Sequence, residues 1–137
     1  MVVQLQDGQR IHYLAWAGGP ARPVVLVHGL ARTAWTWLPV GRRLAGAHPV
    51  VAPDLRGHGA SDAPLQGYEL ESLALDVLTV VAGSGWGEAV EGPPVIVAGH
   101  GLGAMIAVGG LGRSISSPSA AAPPRCWRAA KRIWPGW

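Results

Sequence analysis

No Asp or Glu follows Glu91 in this 137-residue chain, and no His follows His100. Chemistry that needs a general acid or base from the C-terminal part of the chain therefore finds neither carboxylate nor imidazole there. Cysteine is nearly absent as well: Cys126 stands alone, which excludes an internal disulfide and leaves the redox compartment open, with the cytoplasm as the expected location. The start, Met1-Val2-Val3-Gln4-Leu5-Gln6-Asp7, has neither the basic residues nor the long apolar run of a secretory signal. Charge is scarce, at 14% of residues against 49% hydrophobic, a balance that suits a globular chain with a sizeable core rather than a disordered one. Residues 93–112 are uncharged for the twenty residues a bilayer requires, but six glycines and a His make a membrane-spanning helix a poor account of them.

What charge there is lies unevenly. Residues 1–111 hold six arginines against eight acids, a net of −2, whereas residues 112–137 hold Arg113, Arg125, Arg128, Lys131 and Arg132 with no acid, a net of +5. The basic character belongs to the C-terminal segment, so it is no argument for nucleic acid as a partner of the folded part.

Punctuation by Gly and Pro gives the order of elements. Residues 2–6 and 10–16 are expected as two strands joined at Asp7-Gly8, a dipeptide suited to a tight hairpin. Val24-Val25-Leu26-Val27 is a continuous apolar run, as in a strand buried on both faces, and it ends in His28-Gly29. Residues 33–45 predict a helix with Trp37, Val40, Leu44 and Ala45 on one side, Pro39 near its start and Gly41 weakening its middle. Residues 49–52 form the next strand. Leu70, Leu73, Ala74, Val77, Leu78 and Val81 then recur at helical spacing, with Glu69 and Glu71 near the positive end and Gly83 as a stop. Residues 95–98 read as a further strand and residues 102–110 as a small-residue helix. Strands alternating with helices imply parallel strands with helical crossovers, hence an open α/β sheet of about five strands behind an N-terminal antiparallel hairpin.

Residues 1–111 are expected to hold this domain, and residues 112–137 to lie outside it. That segment is first low in complexity and then basic and Trp-rich. On a helical wheel Trp127, Ala130 and Trp134 oppose Arg125, Arg128 and Arg132, which suits a helix lying on a membrane surface. The abrupt loss of acids and of apolar period suits a shifted reading frame better.

Three motifs, in order, carry the chemistry. The first is Leu26-Val27-His28-Gly29-Leu30, a strand that ends in a His-Gly turn. The second is the loop Pro53-Asp54-Leu55-Arg56-Gly57-His58-Gly59-Ala60-Ser61-Asp62. The third runs from Val95 to Ala107, where a β-branched strand breaks at Gly99, turns at Gly101 and resumes as a helix after Gly103. Glycines two before and two after an apex let strand and helix pass closely at a strained bend.

Together, over roughly residues 20–110, these motifs resemble the N-terminal half of the α/β-hydrolase family. The resemblance implies an oxyanion hole made by the backbone N–H groups of Leu30 and Leu102, with His28, Gly29 and His100 shaping the binding turn. It places Gly101 where the family carries a Ser, Asp or Cys nucleophile. It gives the 53–62 loop a mostly architectural role, with Arg56 and Asp62 in loop hydrogen bonds and His58 structural. The family's acid and base follow its nucleophile in sequence, where this chain has none. The expectation is thus a hydrolase-like chain, truncated after the elbow and inactive as given, without cofactor or metal. Were it active, it would take a small-molecule substrate of unreadable class. Two alternatives stay open: half of a hydrolase completed by another chain, or a binding module using the oxyanion turn or the basic tail. An open sheet edge at residues 95–98 is expected to favour self-association.

Overall fold

Val2–Gln4 (β1) and Arg10–Trp16 (β2) open the computed structural model as a hairpin that pairs Val2 with His12 and Gln4 with Arg10. The structure describes residues 1–86 and 95–110; the expected boundary at 111 and the basic Trp-rich segment lie outside the described residues. β1 ends at Gln4 because the Leu5 carbonyl is taken into the turn, accepting from the Gly8 N–H at 3.1 Å, and the Asp7 carboxylate accepts from the Gln9 N–H at 3.1 Å.

Val24–Val27 (β3), Val50–Pro53 (β4) and Ile96–Gly99 (β5) complete a five-stranded sheet in the order β1-β2-β4-β3-β5. β2 runs antiparallel to β4, and β4, β3 and β5 are mutually parallel. The uniform apolar runs divide by parity between two faces. Val25, Val27 and Val51 join Ile11 and Tyr13 under Leu73, Ala74, Val77 and Val80 of helix α2 (Leu70–Val81) and under Ile106. Val24, Leu26, Val50 and Ala52 face the other way, toward Ala34, Trp37 and Leu44. Each fully buried aliphatic side chain of this kind contributes about 1.5–3 kcal/mol, so the central strands hold the fold from both sides.

The helix expected over 33–45 divides. A 3-10 turn, Ala34–Trp37, leads into α1 (Leu38–Leu44), which places Pro39 in the first turn where its missing N–H costs nothing. The inward residue of α1 is Gly41, not Val40, which is 41% exposed. A Cβ at Gly41 would lie 2.7 Å from the Trp16 ring, so the glycine that weakens the helix is what lets it lie against β2. α2 follows its apolar period, but Gly83 does not stop it. Winding continues as a wider turn, Ala82–Trp86, and breaks at Gly85, where φ is +85°. Helix α3 (Leu102–Met105) likewise widens into a looser turn over Ile106–Gly110.

Among the described residues β5 pairs on one side only, with β3, and Ile96 on it is 41% exposed. No described helix is long and apolar enough to cross a membrane.

Candidate active site

Chain order and strand order disagree at one place, the kind of switch point at which open α/β sheets hold ligands in a crevice. From β3 the chain crosses to β4 on one side and then, through α2, to β5 on the other. Beyond the carboxyl ends of β3 and β5 the outgoing loops therefore diverge, the usual ligand position in an open α/β sheet. The register pairs Val27 with Gly99, which sets His28-Gly29 beside His100-Gly101. Two of the three sequence motifs thus meet at one end of neighbouring strands, and the third leaves the same end of β4.

The bend after β5 has the geometry its glycines require. Gly101 sits at φ +54°, ψ −123°, a conformation that side-chain-bearing residues adopt only under strain. A Cβ on Gly99 would come within 2.6 Å of the Gly103 backbone, and one on Gly103 would collide with the Val27 carbonyl. Strand and helix can pass only because neither position has a side chain. At the apex the space is ordinary: a Cβ on Gly101 would meet Gly29 Cα at 3.6 Å. A Cβ has room at 101, but Gly101 carries no side chain, so the apex itself offers no attacking atom.

Opposite the apex lies the turn Gly29–Arg32, closed by the Arg32 N–H donating to the Gly29 carbonyl at 3.2 Å. That carbonyl also accepts from His28 Nδ1 at 2.8 Å. Because the C=O and N–H of one peptide point in opposite directions, fixing the Gly29 carbonyl fixes the aim of the Leu30 N–H. Among the described residues no backbone carbonyl accepts from Leu30 or Leu102 outside the regular elements. Leu30 is 71% exposed, Leu102 half-buried.

His28 is fully buried, and both its ring nitrogens are engaged: Nδ1 donates to Gly29, and Nε2 accepts from the Leu55 N–H at 3.0 Å. Burial pushes its pKa below the ordinary imidazole range, against the smaller opposing effect of the Gly29 hydrogen bond. It is a neutral tie between two loops. His100 is exposed, with its ring against Gly29 and 5.3 Å from the Trp37 ring centre. The Trp37 indole N–H is buried without a hydrogen-bond partner among the described residues.

The 53–62 loop is braced by ties that sequence reading located only in part. Asp54, buried, accepts from the Ala34 N–H at 2.6 Å, the Ala60 N–H at 3.1 Å and His12 Nδ1 at 2.8 Å. It anchors β2, the loop after β3 and its own loop at one carboxylate. Arg56 makes a two-pronged pair with Asp76 of α2, both bonds 2.6 Å. Burial pushes the Asp76 carboxyl up, and Arg56 opposes that. Asp62 takes two bonds from the Arg10 side chain and one from its backbone N–H, and the Arg10 side chain chiefly holds the Asp62 carboxyl below the usual range. His12, Asp76 and Trp37 carried no signal of these roles beyond being polar or aromatic at mostly apolar positions. Among the described residues no group of three or more His, Cys, Asp or Glu is placed to hold a metal ion.

A model of the alpha/beta hydrolase family matches residues 24–137. The chain belongs to the alpha/beta hydrolase family. It is 36% identical over 101 residues to a soluble epoxide hydrolase of Corynebacterium sp. (strain C12), covering 74% of this chain and 32% of that protein. It is equally 36% identical over 109 residues to human epoxide hydrolase 4, covering 77% of this chain and 28% of that one. Among solved structures, the ligand-free epoxide hydrolase CorEH superposes with a TM-score of 0.66 at 34% identity, over 78% of this chain and 35% of that one. An esterase from Exiguobacterium antarcticum superposes at 0.68 and 26% identity, over 88% and 41%. This hydrolase-family chain thus spans about three-tenths of the length of these curated relatives. Its five-stranded sheet is an incomplete form of the α/β-hydrolase sheet.

Proposed function

We propose that these 137 residues form a hydrolase-family scaffold that keeps the oxyanion turn and the elbow but does not by itself carry out the family's acyl- or alkyl-enzyme chemistry. One observation carries the reading: the apex of a correctly bent elbow is Gly101, which offers no atom to attack a substrate. The sequence supports it from a second direction, since within these 137 residues no Asp, Glu or His follows the elbow to serve as acid and base. The donors for a developing oxyanion are backbone groups, Leu30 and Leu102 N–H, and so survive the loss of the nucleophile. Similarity to proteins named epoxide hydrolases and to an esterase supports an epoxide or an ester as the substrate class of the complete site.

The purified chain is expected to hydrolyse neither 4-nitrophenyl butyrate nor styrene oxide above a buffer control. Turnover that persists through purification and disappears on L30P or G101P would overturn the reading. A second reading, that another chain completes the site, is favoured by β5, which among the described residues pairs on one side only. It requires a partner that brings a nucleophile as well as an acid and a base, and it is tested by ester turnover that appears only in a mixture of the two chains.

A further inference from the structure

Two histidines on opposite loops are each tied to the other's loop. His28, after β3, donates through Nδ1 to Gly29 and accepts at Nε2 from Leu55, in the loop after β4. His58, in that second loop, has Nδ1 3.1 Å from the Arg56 carbonyl and Nε2 3.4 Å from the Ala31 N–H. A carbonyl can only accept, so Nδ1 of His58 carries the proton and Nε2 is left as the acceptor. The two rings lie 5.2 Å apart, tilted at 57°. Each imidazole is thus a donor to its own loop and an acceptor from the other.

The turn that His58 reaches needs holding. Ala31 has φ +55°, the one described non-glycine residue in the left-handed region, and Leu30, Ala31 and Arg32 are all exposed. Packing does not keep this turn in shape; hydrogen bonds do. His28 fixes the peptide before Leu30 through the Gly29 carbonyl, and His58 fixes the peptide after it through the Ala31 N–H.

We propose that His58 is a positioning residue: as the Nδ1–H tautomer it latches the Ala31 N–H and thereby holds the strained turn that aims the Leu30 N–H at the crevice. The aiming clause rests on the oxyanion reading above; the latch does not.

The test uses the full chain, labelled with 15N. Long-range 1H–15N spectra are expected to show His58 protonated at Nδ1 and bare at Nε2. In H58F, which keeps a ring but no acceptor, exchange of the Ala31 amide should rise about fivefold, the factor that a hydrogen bond of ordinary net strength sustains. The Leu55 amide, held by His28, should stay protected and reports that the variant is folded. H58Q, whose side-chain oxygen can accept, should restore much of the Ala31 protection; a role in packing alone would be met by Phe and not by Gln. Butyrate serves as an oxyanion probe and should shift the Leu30 and Leu102 amides of the wild type, but only that of Leu102 in H58F. If butyrate shifts neither wild-type amide while H58F still loses Ala31 protection, the oxyanion reading fails and the latch stands. An Nε2–H tautomer at His58, or unchanged Ala31 exchange in a folded H58F, would overturn the proposal.

Discussion

Gly101 occupies a backbone conformation in which any Cβ is strained, so G101A should lower stability by about 1–3 kcal/mol, read from urea midpoints. The penalty is conformational, because a Cβ there meets nothing closer than Gly29 Cα at 3.6 Å. G101S should therefore cost a similar amount, and a variant as stable as the wild type would contradict the observed angles. His28 sets a pH dependence whose sign follows from burial. The folded chain keeps this imidazole neutral, below the ordinary range, whereas the unfolded chain takes up a proton near pH 6.5. Its contribution to stability is complete above about pH 6.5 and is lost as pH falls toward the lowered native value. Urea midpoints should decline from about pH 7 to about pH 5, and the His28 ring should stay neutral in NMR spectra where an exposed imidazole has already titrated. At this scale the sequence was legible wherever a residue acts through its own backbone: Gly99, Gly101 and Gly103 announce a bend by spacing alone. It was not legible where a side chain acts through a distant partner. Nothing local to His12 signals Asp54, 42 positions away, and nothing local to Arg56 signals Asp76.

Among the elements, α2 was the most readable, since its apolar positions repeat every third or fourth residue and all six named are buried or packed against the buried core. α1 was the least, because its inward face runs through a glycine and a 3-10 turn precedes it. G41A tests that account by setting two effects against each other. Alanine would add about 1 kcal/mol of helix propensity, while overpacking against the Trp16 ring costs about 1–3 kcal/mol. A lowered Tm is expected, and a raised one would mean that Trp16 can move aside. The Arg56–Asp76 pair fastens the 53–62 loop to α2. D76A leaves a buried guanidinium unpaired and should cost about 3–5 kcal/mol, measured by chemical denaturation. Loss confined to a few tenths of a kcal/mol would show that Arg56 finds Asp7, 3.8 Å away, as an adequate substitute.

For the molecule as a whole, the notable feature is a parallel strand that pairs on one side only among the described residues. Among the described residues β5 offers its outer backbone groups, with Ile96, Met105 and Val108 exposed nearby. The chain is expected to associate as concentration rises, read by sedimentation velocity across the micromolar range. A monomer with a cooperative thermal transition and strongly protected amides over residues 95–98 would sink that expectation. Sheet order at this scale was not legible: alternating strands and helices imply parallel pairing, but which strand lies beside which depends on long-range packing. The vacant apex has a consequence for descent. A glycine codon of the form GGT or GGC lies one nucleotide from codons for Ser, Cys and Asp, the nucleophiles found at this bend across the family. The bend is already built and has room for a Cβ at its apex. A side chain able to attack is thus one base change away from a bend that needs no rebuilding.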